Sequence, residues 1–233
     1  VVSLKLNASH KFLNDTRVRQ ALSMAMDRKG IATAITRFPE SSATQLFPPA
    51  LDKWHSAKLS PLTQDIEKAK ALLADIGWVK GDDGILTKDG ERFSLLLRTF
   101  PDRPELPLIA AALQNQWAAI GVELEVSVSN YSEIPAGHKD GSLEVALFAR
   151  NYGLTPDPIG TVLADFGKGG GDWGSMGWDN AEVIDALDKI AATSDADARS
   201  ESIATVVNAL HTELPMIPVV WYQLTVAINK DLN

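Results

Sequence analysis

Four histidines, one run of glycines and one acidic stretch are the parts of this sequence whose residue types could do chemistry beyond packing. His10, His55, His138 and His211 could ligate a metal or act as general bases, since imidazole does both near neutral pH. None forms an H-x-x-x-H pair or stands beside a well-spaced pair of carboxylates, so the spacing of a zinc site is missing. His138 with Asp140 is a loop pair of a kind that chance produces often. His211, two residues before Glu213, falls at a helix end, where an imidazolium favours the C-terminal dipole. The glycine run 167–171 suggests a phosphate cradle, but such a loop needs a Lys-Ser/Thr pair after its last glycine and a strand before its first. Asp172 and Trp173 follow instead, and the aspartate repels phosphate, so the run reads as a flexible loop. Asp82 to Glu91 is acidic enough to suggest a calcium loop. Its spacing does not fit one, and Asp83-Gly84 and Asp89-Gly90 are hairpin signals. There is no G-x-S-x-G and no cysteine, which removes thiol nucleophiles, disulfides and Cys-ligated zinc. The sequence predicts no catalytic residue, no metal ligand and no cofactor.

A different chemistry is suggested by LEVALFARNYGLTPDP, residues 143–158. A buried strand, Leu143 to Ala149, runs straight into Arg150, Asn151 and Tyr152. Gly153 then allows a sharp turn, and Pro156 and Pro158 stiffen the exit. In open α/β sheets ligands sit beyond the carboxyl ends of strands, so Arg150, Asn151 and Tyr152 are the candidate binding residues. Tyr152 offers a flat face and a hydroxyl. Asp157 reads as the cap of a helix starting near Pro158. Trp173, beside the glycine run, is a candidate aromatic wall, with core packing as the competing reading, and Phe47 is a further candidate from a proline-rich loop. Trp178 reads as either core or wall; Trp221 and Tyr222 read as core.

The elements that must position these residues alternate along the chain. Of its 233 residues 45% are hydrophobic and 22% charged, an ordinary globular composition with enough length for a sizeable core. The net charge of −8, with no basic run, argues against a nucleic-acid partner. No apolar run is long enough to span a bilayer, and the N-terminal VVSLKLNASHKF has no signal-peptide pattern. A strand opens at Val2. A helix capped by Asp15 carries Val18, Ala21, Leu22, Ala25 and Met26 on one face, and Gly30 interrupts it. Residues 38–63, with Pro39, Pro48, Pro49 and Pro61, read as a long ordered loop. Asp65 caps the next helix and Gly77 ends it. After the hairpin come a strand at Phe93–Thr99, a helix at Leu106–Ile120 and a strand at Val122–Val128, whose valines and Leu124 alternate inward; together these predict a parallel βαβ unit. Asn130 and Glu133 resemble a capping box. Two amphipathic helices and strands at Met216–Tyr222 and Leu224–Ile228 close the chain. The pattern is one α/β domain.

Several of these stretches resemble one known family. NDTRVRQALSMAMDRKGI is similar to the D-x-R-V-R-Q-A-L-x-x-A-x-D-R-x-x-I helix of extracytoplasmic solute-binding proteins of ABC importers, the group that takes up oligopeptides, dipeptides and nickel. DIEKAKALLADIGW resembles its D-x-x-K-A-K-x-L-L-x-x-x-G-W helix. DDGILTKDGERFSLLL resembles the hairpin and strand that follow, and LPMIPVVWYQLTVAINKDL resembles the P-x-I-P-L segment near its C-terminus. They occur in the family's order over nearly the whole chain.

The resemblance implies a type II periplasmic-binding-protein-like fold, with residues 1–233 forming a single α/β lobe, the C-terminal lobe of a longer two-lobed protein, ending near the inter-lobe hinge. It implies a monomeric, periplasmic binding component, its signal peptide outside this fragment. That component captures an oligopeptide or a metal chelate between two lobes and hands it to an ABC permease. It implies a cleft aromatic at Tyr152. The family's peptide-binding members carry an aspartate soon after that aromatic, and here Leu154 and Thr155 stand in a shorter loop. The nickel-binding relatives carry a histidine in the following segment, which is glycine-rich here. A sensor or chaperone-like domain on the same lobe is the alternative; a hydrolase would need a nucleophile-base pair that the sequence does not display.

Overall fold

Continuous apolarity in some segments and strict alternation in others decide which strands are central. The computed structural model describes residues 1–223, 228 and 229. It opens with β1 (Val2–Leu6), α1 (Thr16–Met24) and α2 (Arg28–Ile31), the last running into a π-helical turn over Ala32–Thr36. A long irregular stretch, broken by one 3-10 turn at Pro39–Ser41, leads to α3 (Ile66–Asp75). Then come β2 (Val79–Lys80), β3 (Leu86–Lys88), β4 (Glu91–Arg92), β5 (Ser94–Thr99), α4 (Glu105–Ala118), β6 (Glu123–Val128), α5 (Glu133–Asp140) and β7 (Val145–Ala149). The chain closes with α6 (Ile159–Phe166), α7 (Ala181–Ala192), α8 (Ala196–Glu213) and β8 (Met216–Val220).

The main sheet has the order β6-β5-β7-β1-β8, and β2-β3-β4 form a small separate meander. β5 runs parallel to β6 and β7, while β1 is antiparallel to both β7 and β8. The βαβ unit expected from the sequence is β5-α4-β6. Every residue of β1 and β8 is buried; the apolar run of β8 reads that way from its sequence, whereas β1 alternates and buries Ser3 and Lys5 as well. β6 is an edge strand, and the alternation expected of Val122 to Val128 fails at its end: Val128 is 46% exposed. The edge at β8 is covered by the long loop, which bridges Ser42 to Val220 and donates from the Ala43 amide to the Val219 carbonyl at 3.2 Å.

Local signals work where the sequence places them. The Asp15 carboxylate accepts from the Arg17 amide at 2.8 Å, and that of Asp65 from the Lys68 amide at 3.0 Å. Arg17 pairs with Asp15, and the buried Arg19 donates to the carbonyls of Leu13, Asn14 and Glu213, so both serve the helix and its neighbours. Asp157 receives the Ile159 amide at the start of α6 and pairs with Arg199. The strand expected at Leu224–Ile228 lies largely outside the described residues.

One sheet face packs on α4, whose fully buried Trp117 donates its indole N–H to the Leu22 carbonyl of α1 at 3.1 Å. Trp117→Ala removes a large buried side chain and its bond, and is expected to cost about 3–5 kcal/mol of unfolding free energy, read as a lower urea midpoint with unchanged slope.

Candidate functional site

The carboxyl ends of β5, β6 and β7 point the same way, and β1 begins and β8 ends at the same rim. Val1 and Arg150 exchange backbone hydrogen bonds at 2.6 and 2.8 Å, extending the β1–β7 ladder to the rim. Beyond β5 lie Phe100 and Arg103, beyond β6 Tyr131, beyond β7 Arg150 and Asn151, and beyond β8 Tyr222. The Arg103 guanidinium lies 5.3 Å from the Tyr222 ring centre. Because β7 and β1 stand between β5 and β8 in the sheet, that contact means the loop after β5 reaches across the tips of both. Phe100 and Tyr131 make an edge-on pair at 6.4 Å. Arg103 forms no ion pair among the described residues, and Tyr131 and Tyr222 are both exposed. The Tyr222 hydroxyl donates to Glu105. The sequence reading assigned Tyr222 to the core; it stands at the rim because β8 ends two residues earlier.

Beneath the rim is a polar cluster. The Asp165 carboxylate, on α6, is almost wholly buried. It takes a two-pronged interaction from Arg150, Nε to Oδ2 at 2.8 Å and Nη2 to Oδ1 at 2.6 Å, and a hydrogen bond from the Tyr152 hydroxyl at 2.9 Å. Burial pushes the carboxyl above its ordinary value, and Arg150, Tyr152 and Lys5 pull it back down. Burial, then the charge of Asp165, push the Tyr152 phenol well above its ordinary value, so it stays a donor.

This geometry corrects two of the five candidates. Tyr152 is 3% exposed and Phe47 is 1% exposed. Their rings meet edge-on at 5.2 Å, and Phe47 packs in turn on Trp54 at 5.1 Å. The proline-rich loop folds its aromatics over Tyr152, so neither ring offers a face to solvent and the Tyr152 hydroxyl is spent on Asp165. Arg150 is part-exposed, Asn151 is exposed with its Oδ1 accepting from the Gly153 amide at 3.0 Å, and Trp173 is half-buried against Phe148 at 5.5 Å. A cleft of about 590 Å³ adjoins the loop after β7, lined by Leu51, Trp54, Pro156, Asp157, Arg199 and Ile203 among others.

The glycine segment also differs from the flexible loop expected. The Gly171 amide donates to Ala164 at 2.6 Å, Ser175 to Asp165 at 2.8 Å and Gly174 to Gly171 at 2.7 Å. At Gly170, φ is +53° and a Cβ would lie 2.6 Å from the Ser175 carbonyl oxygen, so glycine is required there. Trp178 is buried, with its indole N–H on Glu213 at 2.6 Å. His138 and Asp140 do not converge: the His138 ring meets Lys5, and Asp140 accepts from the Ser142 amide at 2.8 Å. Sequence reasoning missed Arg103 and Tyr131. Applying the strand-end rule to every parallel strand, and not only to β7, would have found them.

The model for bacterial extracellular solute-binding proteins, family 5 middle region, matches residues 1–173. The chain is 27% identical over 237 residues to the dipeptide-binding protein of Escherichia coli, covering 99% of this chain and 42% of that protein. It is 26% identical over 236 residues to the nickel-binding periplasmic protein of the same organism, covering 100% and 44%. In fold it matches NikA of Brucella suis solved with Fe(III)-EDTA, at a TM-score of 0.83 and 22% identity over 94% of this chain and 44% of that one. The chain thus spans less than half the length of the relatives it matches. Among the described residues no helix is long and apolar enough to cross a membrane.

Arg150→Ala leaves the Asp165 carboxylate buried without its cation, and is expected to destabilise the fold by about 3 kcal/mol. Adding Asp165→Asn to that variant should restore at least about 1 kcal/mol in chemical denaturation, a coupling that independent sites would not give.

Proposed function

The chain belongs to the bacterial extracellular solute-binding proteins of family 5, and from that membership we propose that it is one lobe of the substrate-binding component of an ABC importer. It captures a small peptide-like or metal-chelate solute and presents it to a membrane permease. The family's description places such proteins outside the cell membrane, and the same location is proposed here. Binding without turnover is the activity.

The observation that carries this reading is the convergence of the loops after β5, β6, β7 and β8 over one rim. There Arg103 makes no ion pair among the described residues and Tyr131 and Asn151 present aromatic and amide groups, while Trp173 stands half-buried against Phe148 close to the tip of β7. Such a rim suits a solute with a carboxylate and a flat or apolar part. Tyr152 and Phe47 act from behind: they and Asp165 hold the Arg150–Asn151 loop in place. A second lobe closing on the rim supplies the remaining contacts, since a ligand that touches both lobes favours the closed state by its differential affinity.

Mass spectrometry of the compound released by denaturing the full-length protein identifies the solute, and calorimetry with that compound tests the site. Trp173→Ala and Asn151→Ala are each expected to weaken binding about tenfold, or about 1.4 kcal/mol. Tyr152→Phe should lower stability by about 1 kcal/mol through its lost buried bond, with affinity changed less than about twofold. Unchanged affinity in both the Trp173 and Asn151 variants would refute this site.

A further inference from the structure

Lys5 sits in the middle of β1, opposite Ala146 on one side and Met216 on the other, and is fully buried. A lysine there needs acceptors for its ammonium. Two are in place: the Asp172 carbonyl oxygen at 2.9 Å and Nδ1 of His138. The carbonyl belongs to the peptide joining Asp172 to Trp173, and those two residues are the centre of the Gly171–Gly174 turn closed by the 2.7 Å bond. The orientation of that central peptide is what distinguishes one β-turn type from another. Lys5 therefore grips the one peptide whose rotation would redirect Trp173.

We propose that Lys5 is a positioning residue: its buried ammonium pins the central peptide of the Gly171–Gly174 turn, fixes Trp173 at the rim, and releases that peptide when its proton leaves. A charge-assisted bond to a carbonyl is about twice as strong as a neutral one, so deprotonation loosens the turn without breaking the surrounding fold. The groups facing Lys5 come from several elements. α5 brings His138 and Lys139, the turn Asp172, α6 Asp165, and the end of β7 Arg150. Lys139 pairs with the Asp172 carboxylate at 3.0 Å on the outer side. Arg98, in the same cross-strand row, is directed to Ser142 and the Glu133 carbonyl, and β8 contributes the uncharged Met216.

Burial draws the Lys5 amine from 10.5 down to about 7, against the opposing pull of Asp165 and Asp172, with Arg150 lowering it further. Burial, then the charge of Lys5, lower His138 as well, which keeps its ring neutral and able to accept. Because the folded value is depressed, the folded protein binds fewer protons than the unfolded chain between about 7 and 10.5. This group's contribution therefore makes the fold more stable as pH rises through that window, while the turn itself becomes looser.

The test is hydrogen exchange of the Gly174 amide, measured without solute across that range and corrected for intrinsic rates, together with an NMR titration of the Lys5 side chain. In the wild type, exchange is expected to accelerate by at least about tenfold through a midpoint near the Lys5 titration, with β7 amides unaffected. Lys5→Met should show the fast limit at every pH. A Lys5 titrating near 10.5, or Gly174 protection in Lys5→Met equal to that of the wild type at low pH, overturns the proposal. The wild-type series needs no variant, so it decides the matter if Lys5→Met does not fold. The role of Trp173 rests on the solute-binding reading, but because no solute is added the two fail separately. Unchanged affinity in Trp173→Ala would leave the Lys5 grip standing.

Discussion

The buried carboxylate of Asp165 is the constraint on which the candidate site depends. An ionised group in the interior must be paired and hydrogen-bonded or the fold loses several kcal/mol. Meeting that demand ties together parts of the chain that are far apart in sequence. Arg150 is drawn in from the end of β7 and Tyr152 from the loop beyond it. Satisfying that carboxylate thereby sets the course of the loop after β7, while the glycine segment is held to the same residue through its backbone, the Ser175 amide and hydroxyl both donating to the Asp165 carbonyl.

The sheet order converts this local demand into a surface. Three parallel strands end at one rim, and the antiparallel neighbours bring the start of β1 and the end of β8 to the same place. Below the rim, strands buried on both faces give a rigid base, held by aliphatic packing and by Trp117. Above it, short loops present cationic, amide and aromatic groups on a scaffold that does not have to reorganise. That division suits a binding lobe, in which contacts must be pre-placed and the larger motion is left to the joining of two rigid bodies.

Helix starts were legible where they depend on a few adjacent residues: Asp15 and Asp65 cap as their types and positions require, whereas Asn130 makes a turn one step earlier and the helix there begins after Ser132. The βαβ unit was legible from periodicity. The fate of Tyr152 was not, because its burial depends on Phe47, more than a hundred residues earlier, and on an aspartate thirteen residues later. Likewise the glycine segment looks flexible as a string of residues. It is ordered by Lys5, which no local pattern connects to it. Arg150, Asn151 and Trp173 were candidates from the strand-end rule and the loop composition, and the structure leaves Asn151 exposed, Arg150 part-exposed and Trp173 half-buried. Arg103 was hidden only because its strand was not read to its tip.

The most direct measurement compares amide exchange in the full-length protein with and without the compound it carries. Added protection confined to residues 100–103, 130–131, 150–153 and 171–174 is the predicted result. Protection centred instead on the groove lined by Trp78, Ile85 and Leu86, with the strand tips unchanged, would contradict the assignment of the rim as the solute surface.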